Sequence, residues 1–238
     1  MADLTRIEYL VGKDAIKSLK KKHVLVCGVG GVGSFVCEAL ARSGVGHLTL
    51  IDYDVVDKSN LNRQLMSNKE NIGAIKVEAI KKRLEEISDC KIKIKNEFID
   101  DNFKLDKKYD YVIDCIDTLT SKFKLVKECN EKGVPIICSL GSACRINPQN
   151  IKLTTLDKTQ NDPLAKAFRN LVKKENYRKK IEVVYVDSVP IKTKIIKKGK
   201  TNKEKYPLGS SIFVVGSVGL YIASIVFDRL IKENKNEI

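Results

Sequence analysis

Short apolar runs alternate with longer amphipathic segments over the first 140 residues of the chain. Apolar or alternating runs, which are typical of strands, occupy residues 23–27, 48–51, 91–96, 109–114 and 135–140. Segments with an apolar residue every three or four positions, which predict helices, occupy residues 34–42, 73–87 and 121–132. Thr5 and Glu8 have the spacing of a capping box and predict a short helix before the first strand.

The order of the elements changes after residue 140. Two further strands are predicted at 151–155 and 182–187, with a helix at 163–174 between them and a basic loop at 192–205. We therefore predict an α/β fold. Its N-terminal side is a Rossmann-like, doubly wound, mostly parallel sheet with helices on both faces, and C-terminal strands and helices extend that sheet.

An uncharged stretch from Leu208 to Phe227 is long enough to span a bilayer. Glycines and serines interrupt it, however, and a buried strand at 212–215 followed by a buried helix at 217–232 explains it as well. A lone C-terminal span is the less common explanation of so mixed a segment. We therefore expect a core segment and no membrane association.

The charge of the chain is strongly positive and unevenly distributed. Its 238 residues include 44 Lys and Arg against 30 Asp and Glu, a net charge of +14. Residues 166–205 hold 14 basic and four acidic residues, so ten of the fourteen excess charges lie in this segment. Such a concentration favours a polyanionic partner such as nucleic acid. The alternative is a lysine-rich surface that reflects compositional bias and contacts no partner.

The composition is otherwise that of an ordinary globular protein. Hydrophobic residues make up 43% of the chain and charged residues 31%, which excludes a disordered or collagen-like chain. None of the seven cysteines forms a CxxC pair, so we expect no stoichiometric zinc. Residues 1–22 are charged throughout and argue against secretion. Together with the unpaired cysteines, they favour a reduced, cytoplasmic setting.

A glycine-rich segment follows the first predicted strand. Gly28-x-Gly30-x-x-Gly33 lies between a strand and a helix, which is the context of a dinucleotide fingerprint. Glycine permits a tight turn and close approach of the backbone to phosphate, and the N-terminus of the helix attracts the anion. Asp52 ends the second strand, where a carboxylate accepts hydrogen bonds from ribose. These residues predict a nucleotide site, which NAD would fit as well as ATP.

Residues beyond the second strand favour a triphosphate. Asn60 and Arg63 follow that strand closely, and Lys76 is a further cation near the start of a helix. Residues 114–117 place carboxylates at the carboxyl end of another strand, where Mg²⁺ could bind. The only two histidines stand at the starts of strands, the wrong end of the sheet for hydride transfer.

Together these motifs resemble the ubiquitin-activating-enzyme-like superfamily, the ThiF and MoeB group. The matching segments are Gly28-x-Gly30-Gly31-x-Gly33, Asp52-x-Asp54, Ser59-Asn60-Leu61-Asn62-Arg63-Gln64, Gly73-x-x-Lys76 and Asp114-Cys115-x-Asp117, with Arg6 before Tyr9-Leu10-Val11-Gly12. They cover about residues 6–145. The segment Lys158-Thr159-x-x-Asp162-Pro163-Leu164-Ala165 is similar to the tRNA threonylcarbamoyladenosine dehydratase branch. Asp162-Pro163 also has the pattern of a helix N-cap followed by proline at the first helical position.

The resemblance implies a role for each motif. ATP would be bound by Gly28, Gly30, Gly31, Gly33, Asp52, Asp54, Asn60, Arg63 and Lys76. The catalytic group would be Arg6, Arg63, Lys76 and Asp117, with Asp117 also holding Mg²⁺ and Arg6 reaching the γ-phosphate from the partner subunit of a homodimer. Residues 1–145 would then be the ATP-binding core with its N-terminal helical segment. Residues 146–238 would form a lobe on the tRNA side, continuous with the core.

The reaction shared by this superfamily is adenylation. A carboxylate attacks the α-phosphate of ATP and pyrophosphate leaves. Because a carboxylate is already ionised at neutral pH, no general base is required. In the dehydratase branch a nitrogen of the same threonylcarbamoyl group then attacks, AMP leaves and a ring closes.

Two other functions compete with this prediction. The first is an adenylyltransferase that activates the C-terminus of a ubiquitin-like sulfur carrier. Many such members have paired CxxC motifs and a late cysteine, whereas no cysteine follows Cys144 here. The second is another nucleotide-binding protein, including an NAD enzyme or a non-catalytic module. The absence of a late cysteine favours ring closure on tRNA and gives no support to a covalent step through a thiol. A sulfur-relay protein is still a possible partner.

The basic segment provides the candidate contacts with RNA. Arg169, Lys173 and Arg178 are predicted on or just after a helix beside the nucleotide site. Lys197, Lys198 and Lys200 lie in the basic loop, and their replacement by Glu should weaken tRNA binding while ATP binding survives.

Overall fold

The structure is a computed structural model that describes residues 3–106, 108–192 and 208–232, and the backbone of residues 197–198 and 204–205. The strands in chain order are β1 (His23–Cys27), β2 (His47–Ile51), β3 (Lys91–Lys95), β4 (Tyr111–Asp114), β5 (Ile136–Ser139), β6 (Ile151–Thr155), β7 (Glu182–Val186), β8 (Lys197–Lys198) and β9 (Glu204–Lys205). The helices in chain order are α1 (Thr5–Val11), α2 (Lys13–Leu19), α3 (Gly31–Arg42), α4 (Lys76–Ile87), α5 (Leu119–Lys132), α6 (Pro163–Lys174) and α7 (Ile212–Lys232).

The central sheet has the order β3-β2-β1-β4-β5-β7-β6. All its neighbouring strands pair in parallel except β6, which runs antiparallel to β7. In the register of β1, Cys27 lies opposite both Ile51 and Asp114. The carboxyl ends of β1, β2 and β4 therefore meet at one edge, and the prediction of a doubly wound, mostly parallel sheet is confirmed.

Both faces of the sheet are covered by helices. Residues of α2, α3, α4 and α7 share one hydrophobic cluster with the sheet, and residues of α5 and α6 pack on the opposite face. Apolar runs in β1, β4 and β5 are almost fully buried because such a sheet has no face open to solvent.

The uncharged C-terminal stretch forms one continuous helix, so the prediction of a strand at Ile212–Val215 is wrong. Glycines that suggested a break instead let α7 lie close to α3. A Cβ atom at Gly219 would stand 2.5 Å from the carbonyl oxygen of Val32, and one at Gly216 would stand 3.2 Å from the Phe35 ring. Among the described residues α7 is the one helix long and apolar enough to cross a membrane, and half of its most apolar window is buried inside the protein.

Two helix starts differ from the prediction. The first turn of α3 begins at Gly31, so the glycine segment leads straight into the helix. The helix predicted from residue 73 begins only at Lys76, because Gly73 has a φ of +92° and Ile75 is extended and bridges Val55. The N-terminal helix is present, but its N-cap is Leu4 rather than Thr5, and the N–H of Thr5 donates to Asp3 Oδ1 at 2.9 Å.

The C-terminal half joins the same sheet rather than building a separate one. β7 pairs with β5, and β6 forms the far edge. The helix predicted at 163–174 is confirmed as α6, with Asp162 as its N-cap and Pro163 at its first position. Within the basic loop, β8 and β9 pair antiparallel. The side chains of Lys197 and Lys198, and all of Lys200, lie outside the described residues.

Candidate nucleotide-binding site

The turn between β1 and α3 accepts only glycine at two positions. Gly28 has a φ of +83°, and a Cβ atom there would lie 2.7 Å from the carbonyl oxygen of Cys115. A Cβ atom at Gly33 would lie 1.8 Å from the carbonyl oxygen of Gly28. These glycines let the backbone turn tightly into α3, which directs the free N–H groups of the first helical turn toward the carboxyl edge of the sheet.

The other two glycines of the segment have different roles. A Cβ atom at Gly30 would meet only the side-chain nitrogen of Gln64, at 3.6 Å, so this turn leaves room for an anion to approach the backbone. A Cβ atom at Gly31 would instead press on Val215 of α7, at 3.2 Å. Gly31 therefore serves the packing of α7 against the start of α3.

Asp52 is bound to the glycine turn. Its Oδ2 accepts a hydrogen bond from the backbone N–H of Val29 at 2.8 Å, and its Oδ1 accepts one from the N–H of Asp54 at 2.9 Å. These bonds orient the carboxylate beside the N-terminus of α3. Each oxygen keeps a further lone pair, so the carboxylate could accept the hydroxyls of a bound ribose.

Lys76 is brought to the site by a short antiparallel contact between the segment after β2 and the start of α4. The backbone N–H of Lys76 donates to the carbonyl of Asp54 at 3.0 Å, and Val55 bridges Ile75. The Lys76 ammonium lies 2.7 Å from Asp54 Oδ2. The lysine side chain is 7% exposed but the aspartate is 48% exposed, so the partner of this buried cation faces solvent.

Asn60 and Arg63 lie on a capped turn between β2 and α4. Asp57 and Asn60 form a capping box, in which Asn60 Oδ1 accepts from the N–H of Asp57 at 3.0 Å. The guanidinium of Arg63 donates through Nη1 to the Ser59 carbonyl at 2.7 Å and to Asn62 Oδ1 at 3.0 Å. Its remaining donors can serve a ligand.

Gln64 belongs to the site, although the motif assigned it no role. Its side chain is 6% exposed and lies against Gly30. Its Oε1 is buried without a hydrogen-bond partner among the described residues. A buried amide oxygen without a partner is rare in native structures. The signal for Gln64 in the sequence was its position directly after Arg63.

The end of β4 and the turn after it contain one buried and one exposed carboxylate. Asp114 is fully buried, and its Oδ2 accepts from the Lys122 ammonium at 2.7 Å. Lys122 also donates to the carbonyl of Ser139 at 2.9 Å, and Asp114 Oδ1 accepts from the N–H of Ile116 at 3.0 Å. Asp114 is therefore committed to the fold, and Asp117, which is exposed, is the carboxylate open to a ligand.

Arg6 is not brought to this site within one chain. Leu4 packs on Gly44, where a Cβ atom would lie 2.9 Å from the leucine Cδ1. Gly44 lies just beyond the end of α3, whereas the glycine turn lies at its start. A helix of this length spans about 18 Å, so Arg6 on α1 stands beside the distant end of α3.

The histidines and cysteines, which were expected to be structural, form no catalytic arrangement among the described residues. His23 and His47 begin β1 and β2 at the opposite edge of the sheet, and the His23 ring hydrogen-bonds Thr49 Oγ1 at 2.8 Å. All seven cysteines are free thiols. Burial raises the pKa of Cys27 and Cys115 strongly, so neither is a thiolate near neutral pH.

The chain is similar to known proteins along its whole length. A model described as the ThiF family matches residues 4–237. The tRNA threonylcarbamoyladenosine dehydratase of Bacillus subtilis is 38% identical, over 96% of this chain and 94% of that protein. The crystal structure of the E. coli tRNA N6-threonylcarbamoyladenosine dehydratase in complex with ATP has a TM-score of 0.86 and 28% identity, covering 99% of this chain and 96% of that one. The molybdopterin-synthase adenylyltransferase of Haemophilus influenzae is 37% identical, over 57% of this chain and 56% of that protein. This chain therefore belongs to the ThiF family, in the branch whose relatives are named tRNA threonylcarbamoyladenosine dehydratase.

Proposed function

We propose that this chain is an ATP-dependent tRNA threonylcarbamoyladenosine dehydratase. It adenylates the carboxylate of the modified adenosine and then closes a ring, releasing pyrophosphate and AMP. The observation that supports this function over sulfur-carrier activation is the extent of the similarity. The dehydratase relative matches both halves of the chain, whereas the adenylyltransferase relative matches little more than half of it.

The chemistry needs positioning and charge stabilisation more than proton transfer. The attacking carboxylate is ionised at neutral pH, so a site without histidine is sufficient. The N-terminus of α3 and the cations Arg63 and Lys76 would stabilise the negative charge of the phosphates as pyrophosphate departs. For Lys76 to do so, its ammonium must bind a phosphate beside the Asp54 carboxylate or in its place. The solvent exposure of Asp54 permits this exchange. Asp52 would hold the ribose, which orients the α-phosphate toward the incoming carboxylate.

Asp117 is the residue that would hold Mg²⁺. The described residues contain no group of three or more His, Cys, Asp or Glu side chains arranged to hold a metal ion. Magnesium that accompanies a nucleotide needs only one or two protein carboxylates, since phosphates and waters complete its octahedron. The exposed Asp117 fits this requirement. The ion, when bound, would neutralise phosphate charge.

Arg6 would act from the second subunit of a homodimer. Within its own chain it stands at the end of α3 distant from the glycine turn. The surface of α1 beside it is unusually apolar for an exposed helix: Tyr9 and Leu10 are 74% and 83% exposed. Pairing of two copies through this surface would bury these side chains and could bring Arg6 to the partner's phosphates.

The C-terminal half, residues 146–238, would face the tRNA. An open groove of about 470 Å³ runs along β6 and is lined in part by Lys158, Gln160 and Tyr221. The basic residues of α6 contribute less than the sequence predicted. Arg169 turns inward and donates to the carbonyl of Thr159 at 3.0 Å.

Two of the other basic residues, Lys173 and Arg178, lie at the opposite edge of the sheet. α6 begins beside Gly141, whose N–H donates to Asp162 Oδ2 at 2.8 Å at the carboxyl edge. It ends near Lys173, and residues 178–180 lead into β7 at the amino edge. The placement of Lys173 and Arg178 beside the nucleotide site was therefore wrong. Lys166, in the first turns of α6, is the exposed cation of this helix nearest the carboxyl edge.

The function is tested by incubating the protein with ATP and tRNA that contains threonylcarbamoyladenosine. We expect loss of 18 Da from the modified nucleoside, the mass of one water, with release of AMP and pyrophosphate in equal amounts. ATP–pyrophosphate exchange should depend on that tRNA. Exchange that instead requires the free C-terminus of a small carrier protein would establish the alternative function. A cytoplasmic location and any sulfur-relay partner are further expectations of this function.

A further inference from the structure

The side chain of Asn62 joins two parts of the chain that are 148 residues apart in sequence. Its Nδ2 donates to the carbonyl of Ser210 at 2.9 Å, and its Oδ1 accepts from Nη1 of Arg63 at 3.0 Å. Ser210 lies just before α7, in the C-terminal half of the chain. One amide therefore links that half to an arginine of the nucleotide site.

An amide is the group that this bridge requires. The Ser210 carbonyl can only accept a hydrogen bond and the Arg63 guanidinium can only donate one, so the side chain between them needs one donor and one acceptor. The two partners also fix which end of the Asn62 amide is nitrogen. A carboxylate at this position would face the Ser210 carbonyl with an oxygen, and it could keep only the contact with Arg63.

The bridge restrains one nitrogen of the arginine. Nη1 of Arg63 carries two hydrogens, of which the Ser59 carbonyl accepts one at 2.7 Å and Asn62 accepts the other. Nε and Nη2 make no hydrogen bond to the described part of the chain, and they form an edge that can bind two oxygens of a phosphate at once. Because a guanidinium is planar, holding Nη1 sets the direction of that edge.

The carbonyl on the C-terminal side of the bridge is itself fixed. The preceding residue, Gly209, accepts through its own carbonyl from the N–H of Cys144 at 2.7 Å. The following residue, Ser211, accepts the first backbone hydrogen bonds of α7. Cys144 is held in turn by its neighbour Arg145, which is 4% exposed and donates to three backbone carbonyls. Ser210 therefore offers a firm attachment point.

We propose that Asn62 is a positioning residue for the reaction, one that holds Arg63 so that Nε and Nη2 face the phosphates. The inference rests on the proposed function, in which Arg63 stabilises the charge that develops as pyrophosphate leaves. Asn62 acts through Arg63 and makes no contact with the nucleotide in this role. Both of its hydrogen bonds are exposed, so their loss should fall on the rate and hardly affect unfolding.

The first test is the rate of ATP–pyrophosphate exchange in Asn62→Ala. We expect kcat to fall by about 10- to 100-fold, because a small misplacement of a catalytic group has effects of that size. KM for ATP should change by less than about 3-fold, since the interaction lost belongs to the transition state. The midpoint of urea unfolding should stay at the parent value.

Asn68→Ala is the matched control. Asn68 is exposed in the same segment, and its Oδ1 accepts from the N–H groups of Glu70 and Asn71, so this variant also loses two exposed hydrogen bonds. It leaves the contacts of Arg63 intact and should exchange pyrophosphate like the parent. Equal losses of kcat in the two variants would show that the segment as a whole, and not the bridge, sets the rate.

A double-mutant cycle tests whether Asn62 acts through the arginine. In an Arg63→Ala background there is no guanidinium to hold, so the further change Asn62→Ala should lower kcat by less than about 2-fold. A loss as large as in the parent background would mean that Asn62 acts independently of Arg63, and it would overturn the proposal.

An NMR measurement tests the geometry without catalysis. The Nε–H signal of Arg63, identified by its absence from Arg63→Lys, reports the motion of this group in the protein without ATP. We expect its order parameter to fall in Asn62→Ala and to be unchanged in Asn68→Ala. An unchanged order parameter in Asn62→Ala would overturn the proposal. If the parent catalyses no exchange, the proposed function fails, and this measurement still decides whether Asn62 orients Arg63.

Discussion

Two aspartate–lysine pairs lie at the same edge of the sheet, with the same nitrogen–oxygen distance of 2.7 Å. Asp114 and Lys122 are both fully buried, whereas Asp54 beside Lys76 is 48% exposed. The buried pair has further protein partners, the Ser139 carbonyl and the Ile116 N–H. The exposed pair faces the glycine turn and the solvent.

The difference in burial separates a structural role from a functional one. A buried ion pair cannot lose one partner without leaving an uncompensated charge in a medium that solvates it poorly. Asp114 and Lys122 therefore lock the turn after β4, the turn on which Asp117 stands. The pair of Asp54 and Lys76 can rearrange at a lower cost, because Asp54 is half exposed and water can solvate its carboxylate when the lysine turns to another anion. A lysine that binds a phosphate needs a partner of this kind, which it can leave when the phosphate arrives.

The largest expected effect is on stability, at the buried pair. Lys122→Met should lower the free energy of unfolding by about 3–5 kcal/mol, because it leaves the Asp114 carboxylate buried and unpaired. Urea unfolding followed by circular dichroism measures this change. The double variant Asp114→Leu/Lys122→Met removes both charges and should recover most of the loss. A single variant within about 1 kcal/mol of the parent would show that the two pairs do not differ in this way.

The exposed pair should respond in the opposite sense. Lys76→Met should lower the rate of ATP–pyrophosphate exchange by about 10²–10³, the usual effect of removing one group that stabilises transition-state charge. Its free energy of unfolding should change by less than about 1 kcal/mol. Lys81→Met, also on α4 but paired with Glu85 on the surface, is the control and should retain full exchange. Equal exchange rates for the two variants would exclude Lys76 from the catalytic group.

A third variant tests whether the carboxylate on the glycine turn binds nucleotide. Asp52→Asn should weaken ATP binding by about 10- to 150-fold, because hydrogen bonds to a charged acceptor contribute about 1.5–3 kcal/mol. Calorimetric titration with ATP gives the dissociation constant. Asp57→Asn is the control, since asparagine caps a helical turn as well as aspartate does. Unchanged ATP affinity in Asp52→Asn, or tight NAD binding by the parent without ATP binding, would contradict the assigned nucleotide.

The smallest expected effect is the pH dependence of the stability that the buried pair contributes. Burial alone would lower the pKa of Lys122, but the adjacent Asp114 carboxylate outweighs it, so that the pKa is raised. A lysine with a raised folded-state pKa contributes stability below its ordinary pKa of about 10.5 and loses it as pH rises through the folded value. The difference in unfolding free energy between the parent and the double variant Asp114→Leu/Lys122→Met, which retains neither charge, should therefore stay constant from about pH 6 to 9. A difference that shrinks within that interval would mean that Lys122 titrates in the neutral range.

Much of the nucleotide half was predictable from local patterns. Buried strands of a parallel sheet are continuous apolar runs, and the glycine turn has a fixed spacing between a strand and a helix, so both are visible in one dimension. The glycines at 28 and 33 and the carboxylate of Asp52 needed no tertiary information. The C-terminal half was less predictable. Its basic residues are close in sequence, but α6 spreads them from one edge of the sheet to the other, and Arg169 turns inward.

The amino-acid sequence by itself determined the alternation of strands and helices from β1 to β5, the glycine turn and the family resemblance, because each depends on residues near one another along the chain. Only the tertiary structure decided which groups meet. It paired Asp114 with Lys122, placed Val215 of α7 against Gly31, and left Arg6 beside the wrong end of α3 for its own site. It also made residues 212–215, which were predicted as a strand, the first turn of α7. The physical reason is that burial and close packing depend on contacts between distant segments, which override local preferences for turns and strands.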